Sequence, residues 1–451
     1  MNRIHRLTAF LLAVLLFVAL TACDSTTPMP SAPSYTAPTT ATTTVAYTTT
    51  SSRFSISHFT TRSRSSAVRN TNRYTTTRRT TTTAKRTSVT AAAPQVNLFA
   101  GYSLPAYRTM YTKLSKNEQY IYNQLRACII NDTYVCVLKQ VNYDTYIPLL
   151  ERAAFALYAD FPEFFWTSYT VNSRKLSSGG TGDLELSLWC NAYWNNVTNR
   201  RQHIEAVMNA ANRIAADAKS RYSTTFERLR YIHDYITTNV TYDHTAADKL
   251  GSPNQTAQQQ QTHSAYGALV NRMAICEGYA KAYKLIANLC GYTCEYVSGT
   301  AGGGEHAWNY ITVDGKNYWV DVTWDDPDSN LSAAARWYTY FGVTTDRLTR
   351  THTPSTKFFP LPACTATEYD FYYRTGSHFA KYDFTAVNKT ARAQTAYGMC
   401  VNLRFDNENA LQTAVNDLFV NGRSNQLNLG GKSVVRYHTD KTFCTLLLIL
   451  Q

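Results

Sequence analysis

A cysteine, a histidine and an aspartate lie in three consecutive segments of this chain: Cys276 in AICEGYAKAYKLIANLCG, His306 in GGGEHAWNYITVDG and Asp321 in KNYWVDVTWDDP. A cysteine becomes a strong nucleophile when a neighbouring base accepts its proton, and histidine can serve as that base. An aspartate bound to the histidine fixes its tautomer and stabilises the imidazolium. The three residue types therefore indicate a site for thiol-based acyl transfer, if the fold brings them together.

The cysteine lies at the start of a predicted helix. Apolar residues recur at three- and four-residue intervals from Cys276 to Cys290, and Gly291 is a typical helix stop. The first turn of a helix has unpaired backbone N–H groups and the positive end of the helix dipole, and both favour an anion. A thiol in such a position, beside a cationic partner, ionises below its ordinary pKa of about 8.5.

The histidine and the aspartate belong to a predicted β-hairpin. Two segments rich in β-branched and aromatic residues flank Asp314-Gly315, a strong signal for a two-residue turn. This turn pairs the residues as follows: Val313 with Lys316, Trp308 with Asp321, and His306 with Thr323. His306 and Asp321 are then diagonal neighbours on one face of the sheet. A slip of one residue would place them on opposite faces, so the geometry depends on the turn.

The motifs Cys-Glu-Gly-Tyr-Ala, His-Ala-Trp-Asn and Trp-Val-Asp-Val-Thr-Trp-Asp resemble the transglutaminase-like superfamily, especially its bacterial secreted branch. The resemblance covers about Thr198 to Thr345. It implies that Cys276 is the nucleophile, His306 the base and Asp321 its orienting partner. It also implies an α+β, papain-like core in which the catalytic helix packs on a small antiparallel sheet. The superfamily includes transglutaminases, proteases, peptide amidases and inactive relatives, so the resemblance specifies the chemistry better than the substrate.

Other residues of this region have less specific interpretations. Tyr266 is a candidate second donor to an oxyanion, beside the backbone N–H of Cys276; packing is its alternative role. His233 lies in an apolar stripe of a predicted helix and is interpreted as a buried, hydrogen-bonded framework residue. Gly302 to Gly304 predict a mobile loop at the edge of the cleft.

Metal sites are weaker hypotheses, and no metal or cofactor is expected. Cys276, His306 and Asp321 could bind zinc, but the chain has no pairs of ligands at short spacing to support such a site. The cluster of Asp325, Asp326 and Asp328 could bind calcium, but an aspartate-rich turn is the simpler interpretation.

The N-terminus has the pattern of a lipoprotein signal peptide. Residues 1–22 contain two arginines followed by an apolar run that is short for a membrane-spanning helix. The segment ends in Leu20-Thr21-Ala22-Cys23, which resembles a lipobox. The resemblance implies a bacterial protein, lipid-anchored through Cys23 on the extracellular face of the cell membrane. The alternatives are an uncleaved anchor and an ordinary signal peptide.

Residues 23–95 are predicted to be a disordered linker, because runs of threonine and serine have too little apolar surface to form a core. Nine basic residues of this segment stand against one acidic residue, Asp24, so most of the chain's net charge of +13 lies outside the folded part. The basic composition therefore does not indicate nucleic-acid binding. Weak attraction to anionic lipid or wall polymer and a role as a soluble spacer are both compatible with it.

Two flanking regions complete the predicted organisation. Residues 96–195 combine helices with two strands and are interpreted as an N-terminal framing subdomain. Residues 196–345 are the predicted transglutaminase-like domain, and residues 346–451 a C-terminal α/β module of unknown role. The fold class is therefore α+β, with flanking N-terminal helical and C-terminal α/β subdomains. Besides Cys23 and Cys276 there are eight cysteines, and their pattern assigns no disulfide.

The sequence hypothesis is a lipid-anchored extracellular enzyme that attacks peptide or amide carbonyls through Cys276, His306 and Asp321. Hydrolysis is preferred because water is always present as an acceptor; acyl transfer to an amine, a non-catalytic surface-binding module and a wall-bound scaffold are the alternatives. The expected substrates are a peptide, a protein or a cell-wall peptide. The membrane is contacted through the lipid, nucleic acid is not a partner, and the protein is expected to be a monomer.

Overall fold

The computed structural model describes residues 96–106, 108–190, 197–250, 255–326, 335–396 and 398–451. The predicted signal peptide, the lipid-attachment residue Cys23 and the linker lie outside these ranges. Among the described helices, none combines the length and the apolar character needed to cross a membrane.

The N-terminal region packs helices against a three-stranded antiparallel sheet of strand order β1-β3-β2. Its helices are α1 Thr109–Thr112, α2 Lys116–Ile130, α3 Tyr143–Tyr146 and α4 Leu150–Asp160, with a 3-10 turn at Ile147–Leu149. Its strands are β1 Val135–Asn142, β2 Thr167–Lys175 and β3 Thr181–Cys190. Ser115 and Glu118 form a capping box at the start of α2. The sequence analysis did not include β1.

The central region begins with two long helices and continues through short elements to the helix that carries Cys276. Its helices are α5 Val197–Arg221, α6 Thr225–Asn239, α7 His244–Ala247, α8 Ala257–Gln261, the π-helix Gly267–Asn271, α9 Cys276–Leu289 and α10 Thr345–Leu348. Its strands are β4 Thr241–Tyr242, β5 Met273–Ala274, β6 Thr293–Ala301, β7 Gly304–Val313, β8 Lys316–Val320, β9 Phe341–Val343 and β10 His352–Pro354. Strands β6 to β10 form one five-stranded sheet of order β10-β6-β7-β8-β9.

The hairpin register is the predicted one. Val313 pairs with Lys316 and Asn309 with Val320, across a turn in which both Asp314 and Gly315 have positive φ. Strand β8 ends at Val320, so Asp321 begins the following turn instead of continuing the strand as predicted.

Helix α9 is buried on nearly every side because it lies between helices α5 and α6 and the sheet. Asn309 of the His-Ala-Trp-Asn motif joins the two layers: its amide nitrogen donates to the carbonyl oxygens of Ala280 in α9 (3.1 Å) and Glu295 in β6 (3.2 Å). The buried ion pair of Lys284 with Glu295 (2.8 Å) makes a second link. These contacts fix the helix relative to the two strands of the hairpin β6–β7.

The C-terminal module has its own core. Its helices are α11 Phe371–Arg374, α12 Phe384–Gln394 and α13 Glu408–Val415, followed by a π-helix at Asn416–Val420 and a 3-10 turn at Arg423–Gln426. Its strands are β11 His378–Phe379, β12 Cys400–Phe405, β13 Val434–Asp440 and β14 Thr445–Leu450, in the order β11-β12-β14-β13. By contrast, one continuous apolar cluster extends from Leu98 through α9 to Tyr372, so the N-terminal region and the central region share a core.

One local expectation differs from the structure. Gly302 and Gly303 form a tight two-residue turn between β6 and β7, because Ala301 pairs directly with Gly304 and both glycines adopt positive φ. Strand β10 pairs with β6 at the edge of the same sheet. The nine cysteines of the described residues all have free thiols.

Candidate active site

Cys276 is the first residue of α9, as predicted. The helix begins after Ile275, whose side chain provides no cap, so the first-turn N–H groups have no side-chain partner from that residue. The carboxylate of the next residue, Glu277, is bound by Lys281 (2.7 Å) and lies 2.9 Å from the His263 ring. Cys276 keeps 7 % of its surface exposed and His306 keeps 9 %, so the pair is close to the surface without being open to it.

His306 connects the cysteine to the aspartate. Its Nε2 atom lies 2.7 Å from Oδ2 of Asp321, and its side chain also interacts electrostatically with Cys276. Because Nε2 donates to Asp321, we assign Nδ1 as the atom that faces the thiol. Burial alone would lower the pKa of His306, but the charges of Asp321 and Cys276 outweigh burial and raise this pKa to about 10. The geometry therefore favours an imidazolium at neutral pH.

Asp321 is an ionised carboxylate with no exposed surface. Burial alone would raise its pKa, but His306 and His352 hold it well below the usual range. Its other oxygen, Oδ1, accepts the backbone N–H groups of Thr323 (2.9 Å) and Trp324 (3.2 Å). The turn after β8 thus fixes the carboxylate in a single orientation.

The sequence analysis missed His352. This histidine lies on β10, beside β6, and its Nε2 atom is 2.9 Å from Oδ2 of Asp321, the same oxygen that binds His306. No local motif in Thr351-His352-Thr353-Pro354 marks a site residue, since its position depends on strand pairing across about 50 residues. Proline at the end of an edge strand was the one indication that a strand could occur there.

Aromatic rings surround the two histidines. Trp308 stacks on His306 with 5.6 Å between ring centroids, and Trp324 lies 5.8 Å from His306 and 4.6 Å from His352. Tyr340 completes the wall at 5.0 Å from His352. These rings exclude water, which strengthens the electrostatic contacts within the site.

Within the described residues, one group of three side chains has the spacing of metal ligands: the ligand atoms of His306, Asp321 and His352 lie within 4.8 Å of one another. Hydrogen bonds account for this spacing, because the two Nε2 atoms are at ordinary donor distances from one carboxylate oxygen. We therefore interpret the group as a hydrogen-bonded cluster.

The aspartates of the proposed calcium cluster have other partners. Asp325 accepts the backbone N–H of Tyr340 (3.0 Å) and lies 3.3 Å from Nε2 of His233. Asp326 accepts the Tyr279 hydroxyl, and Asp328 lies outside the described residues. His233 is fully buried and hydrogen-bonded, which confirms its interpretation as a framework residue.

Tyr266 directly precedes the π-helix, and its ring stacks on Phe165 with 5.7 Å between centroids, while the His203 ring lies 4.8 Å away. These contacts show the packing role. Its role as an oxyanion donor stays a prediction.

A known protein family matches the segment that carries these residues. The model of the transglutaminase-like superfamily matches residues 209–324, a segment that includes Cys276, His306 and Asp321. Residues 209–324 thus form a domain that matches the transglutaminase-like superfamily. The transglutaminase-like domain is α+β, with its cysteine-bearing helix packed on an antiparallel sheet. The comparison with curated proteins found no match.

Solved structures similar to the chain include a protein described as a TGase (16 % identity, TM-score 0.25, covering 34 % of this chain and 44 % of that one). A protein from Cytophaga hutchinsonii, provisionally named a cysteine protease, shares 13 % identity (TM-score 0.21, 34 % and 61 %). A protein from Parabacteroides distasonis ATCC 8503, provisionally named a protease, shares 14 % identity (TM-score 0.21, 40 % and 38 %). The chain thus spans less than two thirds of the length of each.

Proposed function

We propose that this protein is a thiol hydrolase of peptide or amide bonds, with Cys276 as nucleophile, His306 as acid and base, and Asp321 as orienting partner. One observation carries the proposal: a single histidine is hydrogen-bonded to a fully buried carboxylate and interacts electrostatically with the cysteine at the start of α9. This is the arrangement that a histidine needs to exchange protons with a thiol on one side while its charge is stabilised on the other.

The reaction proceeds in two steps. The Cys276 thiolate attacks the carbonyl carbon, the C–N bond breaks, and the imidazolium of His306 gives its proton to the departing amine, leaving a thioester. His306 then removes a proton from water, and the hydroxide displaces the thiolate to release a carboxylic acid. If a primary amine replaces water in this step, the same site performs acyl transfer. The backbone N–H of Cys276 is a candidate donor to the oxyanion of both tetrahedral intermediates.

The first experiment is the pH dependence of Cys276 alkylation, with His306→Ala as the matched variant. In the full-length protein, we expect the thiol to react with iodoacetamide well below the pH at which a free cysteine reacts, and we expect His306→Ala to abolish this reactivity. A cysteine that reacts like a free thiol in both proteins contradicts the proposal and favours a binding module.

The second experiment distinguishes hydrolysis from transfer. Peptide and peptide-amide libraries report hydrolysis by mass spectrometry, and incorporation of a fluorescent primary amine into a glutamine-containing protein reports transfer. Cys276→Ala should abolish either activity. Full activity of Cys276→Ala would refute the mechanism.

We also propose that the enzyme acts on the extracellular face of a bacterial membrane, held by a lipid on Cys23, and that its substrates are peptides, proteins or wall peptides. The support is the lipobox-like Leu20-Thr21-Ala22-Cys23 followed by a linker of low complexity. Cys23→Ser should move the protein from the membrane fraction to the soluble fraction. Unchanged membrane association in this variant contradicts the lipid anchor.

A further inference from the structure

Two histidines share one oxygen of Asp321. The Nε2 atoms of His306 and His352 lie 2.7 Å and 2.9 Å from Oδ2, and both histidines are almost fully buried. An ionised carboxylate only accepts hydrogen bonds, so each Nε2 must carry a proton. The proposed mechanism uses only one of these two donors.

Hydroxyl groups lie on the other side of the His352 ring. Thr351 Oγ1 lies 2.8 Å from Nδ1 of His352, and the Tyr340 hydroxyl lies 3.0 Å from Thr351 Oγ1. Because Nε2 of a neutral His352 holds its proton, Nδ1 is an acceptor that the Thr351 hydroxyl can serve, although the carbonyl oxygen of Leu348 also lies 3.5 Å from Thr351 Oγ1.

His352 stays neutral in this position. Its ring centroid lies 5.5 Å from that of His306, so a second imidazolium would be repelled by the first, and no exposed surface is available to hydrate it. Burial lowers the pKa of His352, and the proximity of His306 lowers it further, against the opposite effect of Asp321. The Tyr340 phenol also faces His352, and burial raises the pKa of this phenol. Beyond that phenol lie the carboxylates of Asp440 and Asp325.

The orientation of Asp321 does not depend on His352 alone. Backbone N–H groups of Thr323 and Trp324 already hold Oδ1, so Oδ2 cannot swing away if one of its two donors is removed. The effect of His352 on Asp321 is therefore that it competes with His306 for the negative charge on Oδ2.

We propose that His352 is a positioning residue that shares Asp321 Oδ2 with His306 and thereby limits how strongly Asp321 retains the His306 proton. The inference rests on the proposed function, in which His306 must release that proton to the leaving amine. An imidazolium held too tightly is a poor acid, and proton transfer is most efficient when its pKa is near the working pH. By sharing Oδ2, His352 lowers the pKa of His306 towards the working pH.

The test uses three substitutions of His352 in the full-length protein. Glutamine places an amide N–H where Nε2 of the ring was, so H352Q keeps the donor. Leucine removes the donor, and asparagine, whose amide ends near the position of Nδ1, cannot reach Asp321; H352L and H352N are therefore two independent donor-free variants. H378L is the matched control, because His378 also binds a carboxylate, that of Asp406 (2.7 Å), but in the C-terminal sheet.

The readout is NMR of ¹⁵N-histidine-labelled protein, with the downfield Nε2–H signals recorded at neutral pH and the pKa of His306 measured by brief pH jumps. The wild type should show two downfield Nε2–H signals on Asp321. In H352L and H352N one signal disappears, the His306 signal moves further downfield, and the pKa of His306 rises by about one unit because a competing hydrogen bond to a charged group is lost. H352Q and H378L should keep the wild-type His306 pKa.

An unchanged or lowered His306 pKa in the donor-free variants overturns the inference, as does an equal rise in H352Q. Failure of both donor-free variants to fold also overturns it, since His352 would then be required for the fold itself. None of these measurements needs a substrate. A protein that shows the expected NMR pattern but no turnover would overturn the proposed function and leave the sharing of Asp321 in place.

Discussion

At the scale of single residues, the site is organised by one carboxylate. Asp321 has no exposed surface and accepts hydrogen bonds from two histidines and two backbone N–H groups. A buried charge is tolerated only when it is paired and hydrogen-bonded. The sequence indicated His306 as its partner because the two residues belong to one hairpin, but it did not indicate His352, which comes from a strand outside that hairpin.

The charge of Asp321 can be removed without changing its size. In Asp321→Asn the amide cannot accept from both histidines in the same way, so His306 loses its fixed tautomer, and we expect kcat to fall by about 10³–10⁴-fold. Steady-state kinetics on the substrate found in the library screen measures this loss. Asp346→Asn, whose parent side chain is 86 % exposed on α10, is the control and should keep wild-type kcat. A loss of less than tenfold in Asp321→Asn would argue against its assigned role.

At the scale of elements, the start of α9 is placed by a close backbone approach. A Cβ added at Gly278 would lie 2.4 Å from the carbonyl oxygen of Thr262 and 2.7 Å from Cβ of Ala274. Only glycine allows the helix to approach the 262–264 segment so closely. The glycine of the Cys-Glu-Gly motif thus sets where the nucleophile lies.

Gly278→Ala should therefore lower the free energy of unfolding by about 1–3 kcal/mol, because overpacking forces the helix and the 262–264 segment apart. Urea titration measures the change. Gly180→Ala is the control, since a Cβ added there meets no atom within 4 Å. Equal stability of the two variants would show that the close approach can relax at no cost.

Strand β10 depends on a second glycine. A Cβ at Gly299 would lie 2.3 Å from the carbonyl oxygen of Thr353 and 2.7 Å from the Trp308 ring, so Gly299→Ala must displace β10 from β6. We expect the downfield Nε2–H signal of His352 to weaken or vanish in this variant, while the signal of His306, which lies on β7, persists. Retention of both signals would mean that β10 can shift without moving its histidine.

At the scale of the whole molecule, one buried histidine makes the stability depend on pH. Burial alone would lower the pKa of His233, but its two carboxylate neighbours, Asp234 (3.0 Å) and Asp325 (3.3 Å), raise it to about 9. His306 does not add to this effect, because the proton that it gains is the one that Cys276 loses in the proposed ion pair. The raised pKa of His233 in the folded state means that folding takes up a proton, so this stabilisation is complete below the unfolded pKa of about 6.5 and is lost as the pH rises through the folded value.

We therefore expect the difference in free energy of unfolding between the wild type and His233→Asn to shrink as the pH rises from about 6.5 to 9. The loss attributable to His233 is roughly 3 kcal/mol over the full range. Urea titrations of both proteins at several pH values measure this difference, in which the opposite slope of histidines with a lowered pKa, such as His263, cancels. A difference that stays constant or grows with pH would contradict the protonated state of His233.

The sequence by itself determined the parts of this protein that local interactions specify. The spacing of apolar residues and Gly291 fixed α9, with Cys276 in its first turn, and the Asp314-Gly315 turn fixed the hairpin register that brings His306 to Asp321. The helix and the hairpin register both depend on residues close together in the chain, and for such residues the apolar periodicity and the turn residues predict the structure directly. Strand β8 ends at Val320, before the predicted strand residues Asp321 and Thr323, because Asp321 is held by the backbone of its own turn.

Only the tertiary structure decided which distant segments complete the site. Strand β10 has three residues and no pattern of its own; it exists because β6 offers an edge to pair with, and this pairing delivers His352 to the far side of Asp321. The shared core of the N-terminal and central regions also depends on contacts between distant segments. In it, the ring of Phe155 stacks on that of Phe358 with 4.2 Å between centroids, although about 200 residues separate them in the chain. Contacts between segments so far apart depend on complementary surfaces, which composition and periodicity along the chain do not encode.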